Sequence, residues 1–321
     1  MFALRGIAVS LAFFVLLYCA LSSLVAVAWR ILKRLHTRES SAASALFALR
    51  VLPLAASVVV TFVFVVPSFQ LLEPRSMDID EGMGTMPAAL GMCALVLIVY
   101  GLFRVISAQA KSARLVARWL DEAHPLDIHA GVPVRFSAPT LAFRSRRAAP
   151  PLLLIGVGKP RVLVSASTIA LLGNDELRVA LKHEFAHVQS RDNLKKLIFR
   201  FCPFPGMAVL ESAWSQAAEL AADDAAVSSL EDAVDLAAAL VKLSRLIPVE
   251  AAPICTVGFV TGSISARVSR LLAWNEASTI QRTRSGARYL IPAALVALLC
   301  ICITYGPALA LTHEVTEWLV R

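Results

Sequence analysis

The residues best suited to chemistry are His183-Glu184-Phe185-Ala186-His187. On a helix, histidines four apart project from the same face about one turn from each other. Neutral imidazoles so placed can hold one Zn²⁺ at about 2.0–2.1 Å each. Glu184, beside the first histidine, is positioned to take a proton from water activated by that ion. A catalytic zinc needs a third protein ligand and one open position. Glu219 supplies a carboxylate from the next strongly helical stretch, roughly Ala208 to Leu230. Asp223, one turn further on, is placed to accept a hydrogen bond from a ligating imidazole and fix its tautomer. The bland alternatives are a surface helix that carries two histidines, and a solvated acidic pair on an alanine-rich helix that also holds Glu211 and Asp224.

The elements around these residues can be read from local signals. Asn174 is the cap candidate for the histidine helix, and Asp175 and Glu176 suit the positive end of its dipole. The helix is expected to run through Leu177, Ala180 and Leu181 to about Asn193. Asp192 near its end either orients the site or is a solvated terminus. Upstream, Leu152 to Val157 and Arg161 to Ser165 flank Gly158-Lys159-Pro160 and read as paired strands around a turn. The stretch from His124 to Pro151 is rich in Pro, Ala and Arg, and His124 and His129, which flank a Pro-containing loop, read as ordinary surface or loop histidines. Arg144, Arg146 and Arg147 form a basic cluster suited to anionic headgroups. Ala108 to Ala123 and Glu231 to Leu246 are helical in pattern.

The setting is a membrane. Apolar residues make up 58% of the chain and charged residues only 17%. Gly6 to Trp29, Val51 to Leu72, Gly82 to Phe103 and Tyr289 to Thr312 contain no charged side chain, and each is long enough to cross a hydrocarbon core of about 30 Å. The expected fold class is therefore a mainly α membrane protein: four transmembrane helices with a cytoplasmic α+β zinc protease domain. The division is 1–107 for three spans, 108–288 for the protease domain, and 289–321 for the fourth span and a short external tail. The first block runs past the length of a signal-peptide core and reads as an uncleaved anchor. Arg30, Lys33, Arg34, Arg38 and Arg50 follow it, whereas Glu73, Asp78, Asp80 and Glu81 dominate the next loop. Arg104, Lys111, Arg114 and Arg118 follow the third block, and Arg282, Arg284 and Arg288 precede the fourth. This distribution sets the protease domain in the cytoplasm and both termini outside. It also accounts for the net charge of +8 without nucleic-acid binding. The six cysteines form no CxxC pair, so neither a disulfide framework nor a cysteine zinc site is indicated.

The string from His183 to Asn193, and Glu219-Leu-Ala-Ala-Asp223-Asp-Ala-Ala after it, resemble the gluzincin-type membrane proteases. Two families share such strings: M48, with the Ste24 and HtpX-like proteases, and M56, with antibiotic-sensing transducers of the BlaR/MecR type. Three spans, a zinc domain and a fourth span resemble M56, as does the segment Phe201 to Pro205 before the glutamate helix. The resemblance implies His183, His187 and Glu219 as Zn²⁺ ligands, Glu184 as general base and Asp223 as the aspartate behind the ligands. By analogy with other zincins, Arg161 to Ser165 would pair with an extended substrate. The implied protein is a metalloendopeptidase of the bacterial inner membrane that cleaves a cytoplasmic protein, such as a transcriptional repressor, in envelope signalling. The alternatives are an M48-like housekeeping protease and a non-catalytic membrane signalling protein. The M56 sensors continue past the fourth span into a large external domain, whereas this sequence ends about ten residues later. Reception of a signal is then expected through Glu73 to Met86, the spans or a partner sensor protein. Ala222 replaces a cysteine frequent in the family.

Overall fold

The computed structural model describes residues 2–35, 43–73, 84–120, 124–125, 142–145, 151–157, 160–246, 257–258, 264–275 and 304–318. Three apolar stretches form long helices, because a chain in lipid must satisfy its backbone polar groups internally. The first is α1 (Phe2–Leu35). The second comprises α2 (Ala43–Val60), a π-helical turn (Thr61–Val65) and α3 (Val66–Leu72). Pro67, in the first turn of α3, has no N–H to donate and its ring crowds the carbonyl four residues back, so the wider π turn leading into it has a local cause. The third is α4 (Thr85–Leu120), whose 36 residues extend about 54 Å. Phe2–Ile31, Ala43–Leu72 and Thr85–Arg114 are long and apolar enough to cross a membrane. Side chains such as Phe62, Val96 and Phe103 remain exposed on them, as a lipid-facing surface requires.

Of the expected fourth span, 289–303 lie outside the described residues. Residues 304–318 are helical. Tyr305 packs on Phe64 with ring centroids 5.7 Å apart, and His313 Nδ1 lies 3.9 Å from Glu73 at the end of α3. This helix therefore meets the second span, but the described residues contain three candidate spans rather than four.

The remaining elements are β1 (His124–Pro125), β2 (Ala142–Ser145), β3 (Leu152–Ile155), β4 (Arg161–Ser165), α5 (Ala166–Leu171), α6 (Asn174–Gln189), α7 (Asp192–Phe201), α8 (Ala208–Ala226), α9 (Leu230–Ser244), β5 (Val257–Gly258) and α10 (Ile264–Leu272). The β3–β4 hairpin forms as the apolar runs predict, with Leu153 opposite Leu163. One expectation is corrected. The Pro-, Ala- and Arg-rich stretch contributes β1 and β2, and the sheet runs β1-β2-β4-β3-β5. β4 lies inside that sheet, parallel to β2 and antiparallel to β3. Both of its backbone edges are occupied, so it offers no free ladder to an extended substrate. His129, Arg146 and Arg147 lie outside the described residues.

Two apolar cores result. Leu152, Leu154, Val162 and Val164 pack under α6 and α9 with Val179, Ala180, Leu236 and Leu240. The second joins α7 and α8 to the membrane helices, with Phe199, Met207, Leu210 and Trp214 against Val25, Ala26 and Leu46. Full burial of side chains of this size is worth roughly 1.5–3 kcal/mol each. The helices that frame the candidate site are thus docked on the spans rather than tethered to them.

Candidate metal centre

Helix α6 begins one residue earlier than its cap candidate suggests. Gly173 is the cap, and its N–H donates to the Glu176 carboxylate at 2.8 Å. The helix also stops at Gln189 rather than near Asn193. Arg191 adopts a left-handed conformation (φ 53°), which breaks the helix and starts α7 at Asp192. Asn193 donates to the carbonyls of Leu154 at 3.4 Å and Gly156 at 3.0 Å, tying the new helix to β3. The break turns Asp192 inward, where its carboxylate lies 2.7 Å from His187 Nδ1 and 3.0 Å from Lys195 Nζ. Asp192 is buried, which decides between its two readings.

Helix α8 ends at Ala226, four residues before the expected Leu230. Ser229 instead caps α9 by accepting from the Asp232 N–H at 3.1 Å. Ala217, Ala218 and Ala222 are all buried along α8, and small side chains let helices approach closely. This brings Glu219 against the histidines of α6.

His183, His187 and Glu219 are all buried, and one ligand atom from each lies within 4.8 Å of the other two. The two Nε2 atoms are 3.2 Å apart. Glu219 oxygens lie 3.6 Å from His183 Nε2 and 3.8 Å from His187 Nε2. Ligands 2.0–2.1 Å from one tetrahedral ion stand about 3.4 Å apart. The three residues therefore fit a single divalent ion without rearrangement of the helices.

The outer nitrogens are held by carboxylates. His183 Nδ1 lies 2.9 Å from Asp223 Oδ1, matching Asp192 beneath His187. Each ring is thereby oriented with Nε2 towards the common point. Arg267 of α10 closes this layer. It donates to both Asp223 oxygens, at 2.7 and 2.6 Å, and to Glu219 Oε2 at 3.0 Å.

Charge and burial compete throughout. Burial lowers the His187 pKa, and the neighbouring His183 acts in the same direction. At His183 burial also acts downward, but hydrogen bonds with Asp223 and Glu219 outweigh it and lift the value to about 9. Burial would raise Asp223, yet its bonds from His183 and Arg267 bring it down to about 2. Glu184 differs: burial pushes it up to about 8, although His183 and Arg267 oppose the shift. Neither Glu184 oxygen has a hydrogen-bond partner among the described residues.

Of the five residues singled out from the sequence, His183, His187 and Glu219 meet at this point, Asp223 backs His183, and Glu184 is buried on the same helix. Arg267 was not among them. Its signal was present, because Ile264, Arg267 and Leu271 share one stripe of α10, so a guanidinium occupies an otherwise apolar face. No known protein-family model matches the chain, and no curated protein matches it.

Proposed function

We propose that this chain is an integral-membrane zinc metalloendopeptidase, with His183, His187 and Glu219 as ligands and Glu184 as general base. The observation that carries the reading is the convergence of two imidazoles and a carboxylate, each backed by an ion pair, beside the buried Glu184, whose carboxylate has no hydrogen-bond partner among the described residues. Structural ion clusters satisfy their members. A group held unpaired in such a site is a candidate for proton transfer.

A zinc ion held by the three ligands would supply Lewis acidity, making water acidic near neutral pH and polarising a peptide carbonyl. Glu184, raised to about 8, matches the pH range in which one group must take a proton and later give it back. It would accept the proton of the attacking water and transfer it to the departing amine. Asp192 and Asp223 would accept from Nδ1–H of the two rings and so leave each Nε2 turned towards the ion. Arg267 would balance the negative charge gathered on Glu219 and Asp223.

The distribution of Lys and Arg supports a cytoplasmic site on an inner-membrane protein. The resemblance to M56 supports a protein substrate in the cytoplasm, with a transcriptional repressor as the type of target and an envelope signal as the trigger. The decisive experiment pairs metal analysis with a cleavage assay on wild type and Glu184→Gln. Zinc retained with cleavage reduced at least about a hundredfold is the expected result. Full cleavage by Glu184→Gln at unchanged zinc content would overturn the reading.

A further inference from the structure

The second membrane helix carries a side chain that composition does not explain. Arg50 lies within the segment Ala43–Leu72 and is 1% exposed. It stands immediately before the uncharged run Val51–Leu72, and a buried arginine is costly unless its charge is paired. Its guanidinium reaches two elements of the candidate domain at once. Nε donates to Glu211 Oε1 of α8 at 2.9 Å. Nη2 donates to the Cys202 carbonyl at 2.7 Å and reaches the Phe199 carbonyl at 3.5 Å. The same group lies over the Phe199 ring, 5.4 Å from its centroid.

The last carbonyls of a helix have no partner within it. At the end of α7 the membrane helices supply those partners. Tyr18 of α1 reaches the carbonyls of Cys202 at 3.1 Å and Pro203 at 3.3 Å. From α4, Gly101 meets the Phe201 carbonyl so closely that a Cβ there would overlap its oxygen. Gly206, at φ +87°, passes beside Arg30 of α1. All three spans therefore grip one short segment, residues 201–206.

That turn joins the two halves of the metal centre. Helix α7 begins at Asp192, beneath His187, and α8 carries Glu219. Glu211, Ser215 and Glu219 follow one another at four-residue intervals, so Arg50 bonds to the ridge that holds the third ligand, about 12 Å away. Apolar packing by Phe199 and Trp214 already anchors the domain to the spans. A planar guanidinium adds an angle: with one edge on α7 and another on α8, it fixes how the two helices splay.

We propose that Arg50 is a positioning residue for the metal centre, so that the packing of the membrane helices governs where α8 delivers Glu219. This rests on the reading of His183, His187 and Glu219 as metal ligands. A change in the bundle, whatever drives it, would then be felt as a change in ligand geometry rather than as a change in access.

The test uses the full-length protein in lipid nanodiscs, with Co²⁺ as the probe. Arg50→Met should weaken Co²⁺ binding about tenfold or more, the usual range for losing outer support of a ligand. It should also alter the visible ligand-field bands and speed amide exchange in α8 before metal is added. Arg50→Lys should recover part of the affinity. Leu236→Ala, which lowers the melting temperature through the other core, should leave the bands as in wild type. Glu211→Gln probes the same clamp should Arg50→Met fail to fold, and its Co²⁺ affinity should fall in the same direction. Wild-type bands and affinity in Arg50→Met, or in Glu211→Gln where Arg50→Met does not fold, would overturn the inference while leaving the metal reading intact. Failure of the wild-type protein to bind Co²⁺ would instead overturn the metal reading itself.

Discussion

Helix α6 presents charged side chains in two directions, and the two sets are finished differently. On one side Arg178 and Lys182 reach Asp232 of α9 at 3.1 and 3.2 Å. Asp232 also accepts from the Ser228 N–H at 3.1 Å and its hydroxyl at 2.6 Å, so both carboxylate oxygens are answered. On the other side Glu184 is buried with both oxygens unanswered among the described residues. A buried polar group without a partner costs about 1–3 kcal/mol. One cluster is a clasp between helices, and the other keeps a group in reserve. Counting charges would have treated the two alike; counting satisfied lone pairs separates them.

Five substitutions test that separation. The largest effect is expected from Glu219→Gln, which should take zinc from about one ion per chain to almost none by metal analysis of the purified protein. Retention of zinc would make Glu219 part of the packing rather than a ligand. Next come Asp192→Asn and Asp223→Asn. Each should lower zinc affinity about 10–100-fold in competition with a chromophoric chelator. On the clasp side, Asp232→Asn should cost about 1–3 kcal/mol in denaturant unfolding and leave zinc affinity unchanged. Parallel loss of zinc would show that the two clusters act as one.

Asp232 also carries a pH signature. Burial would raise its pKa, but the Ser228 bonds and Lys182 hold it below the ordinary carboxylate value. Its stabilisation is complete above the unfolded value near ~3.9 and disappears as pH falls through the lower folded one. Below about pH 4, wild type should therefore lose stability more steeply than Asp232→Asn. The smallest effect is on the reserve side: Glu184→Gln should raise the melting temperature of the metal-free protein by a few degrees. A fall would reveal a partner that answers this carboxylate.

Much of the site was legible because its spacing is local. His183 and His187 share one helical face by arithmetic alone, with Glu184 beside them in sequence, and Asp223 follows Glu219 by one turn. The β3–β4 hairpin was legible for the same reason, from apolar runs around a turn. Long-range placement was not. Asp192 is buried only because Arg191 breaks the helix in a left-handed conformation, which an arginine does not advertise. Arg267 and Arg50 reach their partners across 44 and 161 positions of sequence, which no periodicity encodes. β4 was assigned a free edge by analogy, and β2 takes that edge because a parallel neighbour comes from a stretch with no strand pattern.

Arg267 has a consequence for how the protein is made. It lies 48 positions after Glu219, so the carboxylates of Glu219 and Asp223 leave the ribosome well before the guanidinium that neutralises them. Until α10 has been synthesised, closing α8 onto α6 would bury two acids without that cation, at a cost of several kcal/mol. Closure of α8 onto α6 is therefore expected to wait for α10. On the proposed reading, the site would be completed only after the three described spans and both ligand-bearing helices have been made.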